Sequence, residues 1–264
     1  MSETVDNITN NRLVIRVSKN SLSFSVIDKE SEDLIRFEPY TVKSGVSIPA
    51  NLREAFKTSE LLQLKFKKVQ VILSTPVLFI PIEEFQDENK ETLYKYSFIG
   101  YENNIVMNNV LPDMNVVAVF SINKDLKVVI DDHFEDTRFM SVSQPVWYYL
   151  HQRSFTGVYQ KLYCYFHDKK LDVFCFDKNR FKFSNTFCVT HSLDAVYYIL
   201  HVWNQLAMDV RKDELHVVGT IPGKTEFIDN LHRYLQKVYV LNPSAEFNRA
   251  PITQIKGLPF DLLT

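Results

Sequence analysis

Apolar and polar positions alternate along residues 12–17 (RLVIRV), 22–27 (LSFSVI) and 34–40, and the polar segments Ser18-Lys19-Asn20-Ser21 and 28–33 separate them. A period of two places one face of a strand against a core, so the chain is expected to open with a three-stranded antiparallel meander. Ser47, Ile48 and Pro49 form a helix start, and Leu52, Ala55, Phe56, Leu61 and Leu62 give that helix an apolar face to about residue 64. Residues 69–73 (VQVIL) and 77–82 read as extended pieces, 83–96 as a polar-faced helix, and 116–122 and 127–130 as strands about an Asn123-Lys124-Asp125 turn.

After a helical segment over 144–153 the opening pattern returns. Residues 162–166, 171–176 and 181–189 alternate, with turns at 167–170 and 177–180. A helix follows over 191–210, with Ser192 as its cap and Leu193, Val196, Tyr197, Leu200, Trp203 and Ala207 at helical spacing. A buried-type strand at 215–220, an amphipathic helix at 225–236, a short strand at 238–241 and an irregular tail from Pro251 complete the chain. Leu22 and Leu171 stand 149 residues apart (171 − 22), and Val71 and Val217 stand 146 apart (217 − 71). Both halves read strand, strand, strand, helix, strand, helix, the mark of an internal duplication. The expected division is residues 1–156 and 157–264.

Composition narrows the chemistry. The chain has 264 residues and a net charge of −2, so no basic field gathers nucleic acid. Apolar runs such as Val116 to Phe120 fall far short of the ~20 residues of a membrane span, and the polar start has no signal-like apolar stretch, which reads as cytoplasmic. Cys164, Cys175 and Cys188 have no C-x-x-C spacing and read as packing residues. The 6 glycines contrast with about 18 expected at the usual ~7%, and phosphate-cradling loops depend on glycine.

Several chemistries fail on spacing. Gly219 to Thr225 ends in Gly-Lys-Thr between strand and helix, but three residues separate its glycines where a P-loop has four. The acidic stretch Asp131 to Asp136 reads as a solvated loop, His191 and His201 lack H-x-x-x-H spacing, and no G-x-S-x-G elbow occurs. The second meander mixes aromatics with Lys169, Lys170, Arg180 and Lys182, a pattern able to stack bases. Alternation turns half of those aromatics inward, so protein contact along an exposed aromatic edge is favoured over nucleic acid.

Three strands, helix, strand, helix, twice over, resembles the ribonuclease-H-like halves of the actin-like ATPase superfamily, an α/β fold with α+β segments. The segments RLVIRVSKNSLSFSVID, IPANLREAF, KLYCYFHDKKLDVFCFD and ELHVVGT further resemble an uncharacterised bacterial family, mostly from Bacteroidetes, with that fold and no assigned function. The resemblance implies a nucleotide site of three parts: an Asp-and-Gly turn in the first hairpin of each half, and a glycine pair for the adenosine. Here the first turn, Ser18 to Ser21, has neither residue type. The second, His167-Asp168-Lys169-Lys170, keeps the acid but has lysines for glycines, and Val218 to Gly223 keeps most of the third. Phosphoryl transfer depends on positioned charge around the phosphates, so this pattern points to a degenerate site in a non-catalytic binding or assembly scaffold with an unidentified protein partner. No catalytic or metal residue is assigned. No cofactor is expected; if a nucleotide or anion is still bound, Asp168, Lys170, Gly219, Gly223 and Lys224 are the candidates, and the resemblance implies ATP with magnesium. The alternatives are a nucleotide-binding ATPase or switch and a nucleic-acid-associated factor.

Overall fold

A computed structural model describes residues 8–27, 35–177 and 180–264. The turn expected at 28–33 and part of the turn at 177–180 lie outside the described residues. By contact density the chain divides into two units. The first comprises Met1–Leu78, Gln86–Asn109 and Ala118–Val142, and the second Phe79–Phe85, Val110–Val117 and Ser143–Thr264. Residues 143–156, assigned from sequence to the N-terminal half, therefore fall in the second unit.

Strands β1 (Ile8–Val17), β2 (Ser21–Ile27), β3 (Ile35–Thr41), β4 (Lys65–Leu73) and β8 (Thr137–Ser141) form a sheet in the order β3-β2-β1-β4-β8. The meander is antiparallel, and β1/β4 and β4/β8 are parallel. Helix α1 (Ile48–Thr58) begins at Ser47, whose Oγ accepts from Ala50 N, and Asn51 is fully buried and ties down the preceding loop. The Asn51 amide donates to the carbonyls of Val46 and Ser47 and accepts from Lys43 N. The helix stops at Thr58, short of 64, yet Leu61 and Leu62 still reach the core from the turn that follows.

Residues 78–122 carry β5 (Leu78–Pro81), α2 (Lys90–Ser97), β6 (Ile105–Leu111) and β7 (Val116–Ile122), with the three strands in the order β5-β7-β6. Two single 3-10 turns precede α2, where one helix over 83–96 is expected. The strand expected at 127–130 is instead α3 (Lys124–Asp131). Its apolar run suits either state, but the Asn123 side chain accepts from Leu126 N as a cap, and Leu126, Val129 and Ile130 then line one buried helical face.

The second unit repeats the first sheet. Strands β9 (Lys161–His167), β10 (Lys170–Asp177), β11 (Arg180–Cys188), β12 (Glu214–Gly219) and β13 (Val238–Val240) run β11-β10-β9-β12-β13, antiparallel through the meander and parallel beyond it. Ile15 pairs with Val71 in the first sheet and Cys164 with Val217 in the second, so the offsets seen in sequence are a shared register. Leu162, Cys164 and Phe166 pack with residues from α5 (Ser192–Gln205) and α6 (Lys224–His232) on one face. The other face is covered too. Trp147 of α4 (Ser143–Ser154) stacks on both Phe79 and Phe174, with ring centroids 3.9 and 4.6 Å apart, and Tyr163 stacks on Phe174 in turn. Strands β9 and β10 are therefore buried on both sides, and the aromatics that alternation alone would expose form a second core layer.

The tail from α7 (Pro243–Glu246) onward is short turns rather than loose chain. Phe260 and Asp261 are buried, Tyr165 donates to Asp261 Oδ2 at 2.6 Å, and Glu246 accepts from Tyr149 and pairs with Arg153. Among the described residues, no helix is long and apolar enough to cross a membrane.

Candidate functional site

In an open sheet with parallel central strands, ligands settle beyond the carboxyl ends of those strands. In the second unit that position is the end of β9, where the chain turns into β10, beside the end of β12. A pocket of about 410 Å³ lies there, lined by Phe166, His167, Asp168, Lys169, Lys170, Val189, Thr190, Thr220 and Pro222.

The turn is made by Asp168 and Lys169, both in the left-handed region at φ 46° and 59°. This two-residue conformation suits the twist of a hairpin, and Asp accepts left-handed backbone more readily than most residues. Thr220 and Pro222 come from the β12–α6 connection, which Gly219 makes possible. At φ +98°, a Cβ on Gly219 would lie 2.1 Å from the Phe166 carbonyl oxygen, and Thr220 N donates to that same oxygen at 3.0 Å. Gly223, at φ +52°, caps α6 beside Ser192, which donates to Glu226 at 2.7 Å.

Behind the turn lies a buried ionic network. His167 Nδ1 is 3.0 Å from Asp168 Oδ2, and its Nε2 is 3.0 Å from Asp172 Oδ2. Asp172 also accepts from Ser143 Oγ and Thr186 Oγ1, each at 2.7 Å. Burial is the largest single influence on His167 and opposes its charge, but the two carboxylates together outweigh it and raise its pKa to about 9. Burial likewise pushes Asp172 up, and His167 with the two hydroxyls holds it below the usual carboxylate range. At neutral pH the centre is an imidazolium held between two carboxylates, with the Tyr165 ring stacked on it at 4.7 Å.

Of the five candidates, Asp168 and Lys170 line the pocket, and Gly219 and Gly223 shape the connection that supplies its other wall. Lys224 is exposed at the start of α6 and is not among the lining residues. Ser18, whose turn resembles the other phosphate hairpin, bonds to its own loop: its Oγ accepts from Ser21 N at 3.0 Å and lies 2.7 Å from Ser21 Oγ. His167, Asp172, Ser143 and Thr186 were not singled out from sequence. The available signal was Asp172, the one charge inside the apolar run LDVFCF.

His133, within the acidic stretch, bonds Val129 O and stacks on Phe56 at 3.7 Å. Among the described residues no group of three or more metal-ligating side chains converges. Cys164 and Cys175 are buried as expected, whereas Cys188 is exposed at the end of β11.

The family model for a protein of unknown function, DUF3822, matches residues 2–238. A solved Bacteroides thetaiotaomicron protein, described as having an actin-like ATPase fold and unknown function, is 30% identical. It covers 92% of this chain, which covers 95% of it, with a TM-score of 0.82. A structure of the PilM–PilN type IV pilus biogenesis complex matches at a TM-score of 0.61 over 96% of each chain and 9% identity, a likeness of fold alone. No curated protein matches the sequence.

Proposed function

The chain belongs to the DUF3822 family of proteins of unknown function, and on that premise we propose that it is a cytoplasmic, non-catalytic actin-like scaffold that binds a protein partner. The observation that carries this reading is the engagement of Asp168. The carboxylate that the fold would offer to a nucleotide-bound metal instead faces His167 at 3.0 Å, in a network closed by Asp172.

The residues present do not fit Mg-ATP in other respects. Lysines occupy the turn where phosphate would need to approach bare backbone. The serines of the Ser18–Ser21 turn satisfy each other and offer no carboxylate. Gly219, the feature that most favours the alternative of a nucleotide-binding switch, has a structural reason to be glycine in the Phe166 carbonyl.

Phosphate release from Mg-ATP by the purified chain tests the non-catalytic part. The expected rate is that of the buffer blank. Release above it that scales with protein and disappears in Asp168→Asn would establish the ATPase alternative.

A further inference from the structure

One end of the first sheet carries a small basic cavity. Arg12 on β1, Lys68 on β4 and Arg138 on β8 reach it from three neighbouring parallel strands, and Val69 and Asp136 complete its lining. Leu13, Val69 and Phe139, one residue further along each strand, belong to the core, so alternation turns all three cations to the opposite face. Farther along that face Val14, Arg16 and Ile72 are buried, whereas Arg12, Lys68 and Arg138 are exposed.

Arg12 is held in place. A bulge interrupts the pairing with β4 between Thr9 and Arg12, which bends the strand beside the cavity. Arg12 donates from Nη1 to Gln70 Oε1 at 3.2 Å, and Gln70 Nε2 lies 3.1 Å from Met140 Sδ, which fixes the amide with its oxygen toward the guanidinium. Among the described residues no ion pair engages Arg12, Lys68, Arg138 or Asp136. Three cations against one carboxylate leave the cavity positive in a chain whose net charge is −2, and a negatively charged group is its complement.

Size then selects among anions. The cavity has a volume of about 40 Å³, room for roughly three water-sized groups and far below the roughly 300–1,000 Å³ of sites that enclose a small molecule. A nucleotide does not fit inside it, whereas a single carboxylate projecting from a larger partner does. Its lining has no aromatic ring on which a base could stack.

We propose that this end of the first sheet docks an acidic segment of a protein partner, with one Asp or Glu side chain seated among Arg12, Lys68 and Arg138. The inference rests on the reading that the chain binds a protein partner, and it puts one contact on the first unit.

Fluorescence anisotropy of labelled probes titrated with the full chain tests it, at about 50 mM and about 300 mM salt. The probes are the acidic peptide GSEDESG, its neutral counterpart GSQNQSG, and a single-stranded DNA of about twelve nucleotides. Saturable binding of the acidic peptide, weaker at the higher salt and absent for the neutral peptide, is expected. Replacing Arg12 and Arg138 together by Gln should weaken it about tenfold, because charge-assisted hydrogen bonds are lost. The same change at Arg211 and Lys212, exposed in the second unit, should leave it unaltered. No saturable binding up to about 2 mM peptide at the lower salt, equal binding of the neutral peptide, or an equal loss in the second-unit pair overturns the proposal. Tighter binding of the DNA than of the acidic peptide overturns the choice of a protein partner. Phosphate release from Mg-ATP is measured separately, so a failure of this site and a failure of the non-catalytic reading are told apart.

Discussion

Replacing His167 by Gln removes the charge at the centre of the buried network and leaves Asp172 with only Ser143 and Thr186. The histidine's pKa is raised from 6.5 to about 9 on folding, and a gap of about 2.5 units corresponds to roughly 3 kcal/mol. Because the folded value is the higher one, this stabilisation is fully present below pH 6.5 and is lost as pH rises through about 9. The variant should therefore be about 3 kcal/mol less stable than the parent at pH 6, and the gap should close as pH rises past 9. Urea unfolding followed by tryptophan fluorescence reads the right part of the molecule, since Trp147 and Trp203 both lie in the second unit. A difference below about 1 kcal/mol at pH 6, or one that does not change with pH, would refute the picture of a buried imidazolium.

Gly219→Ala forces a Cβ to 2.1 Å from the Phe166 carbonyl at φ +98°, so a loss of several kcal/mol, about 3 or more, is expected in urea unfolding, and a loss under ~1 would contradict the close approach. Trp147→Ala empties the centre of the aromatic layer between Phe79 and Phe174 and should cost about 3–5 kcal/mol in the same assay. In the first unit, Asn51→Ala removes three hydrogen bonds at a fully buried position. Hydrogen exchange of the α1 amides should show them destabilised by about 2–4 kcal/mol, and unchanged protection would show that the loop before α1 is held by something else.

The two meanders were legible because alternation survives in their sequences and the turn residues fall between them. The duplication was legible because insertions between the halves fall outside the paired strands, leaving Ile15–Val71 and Cys164–Val217 in one register. Elements whose apolar residues suit two states were not. Lys127 to Ile130 reads as a strand until Asn123 is seen to cap a helix, and the five residues of β8 are too few to show a period. Alternation also misleads where both faces of a sheet are covered, which is why Tyr163, Tyr165, Phe174 and Phe176 are all core.

The candidate site was legible only as a turn and a glycine loop. Asp168 and Lys170 meet Thr220 and Pro222 because β9 and β12 are parallel neighbours, a relation that the duplicated fold implies. The partner of Asp168 was hidden, because His167 at a strand end looks like part of the turn. The partners of Asp172 come from a helix start and an adjacent strand, 29 and 14 residues away.

Thermal unfolding of the purified chain with and without millimolar Mg-ATP and Mg-ADP tests the central claim most directly. A nucleotide present at a hundred times its Kd would stabilise the folded state by about 2.7 kcal/mol and raise the melting temperature by roughly 5–10 °C. The degenerate site predicts no shift with either nucleotide. A shift of that size, abolished by Asp168→Ala, would contradict it and establish a working nucleotide site.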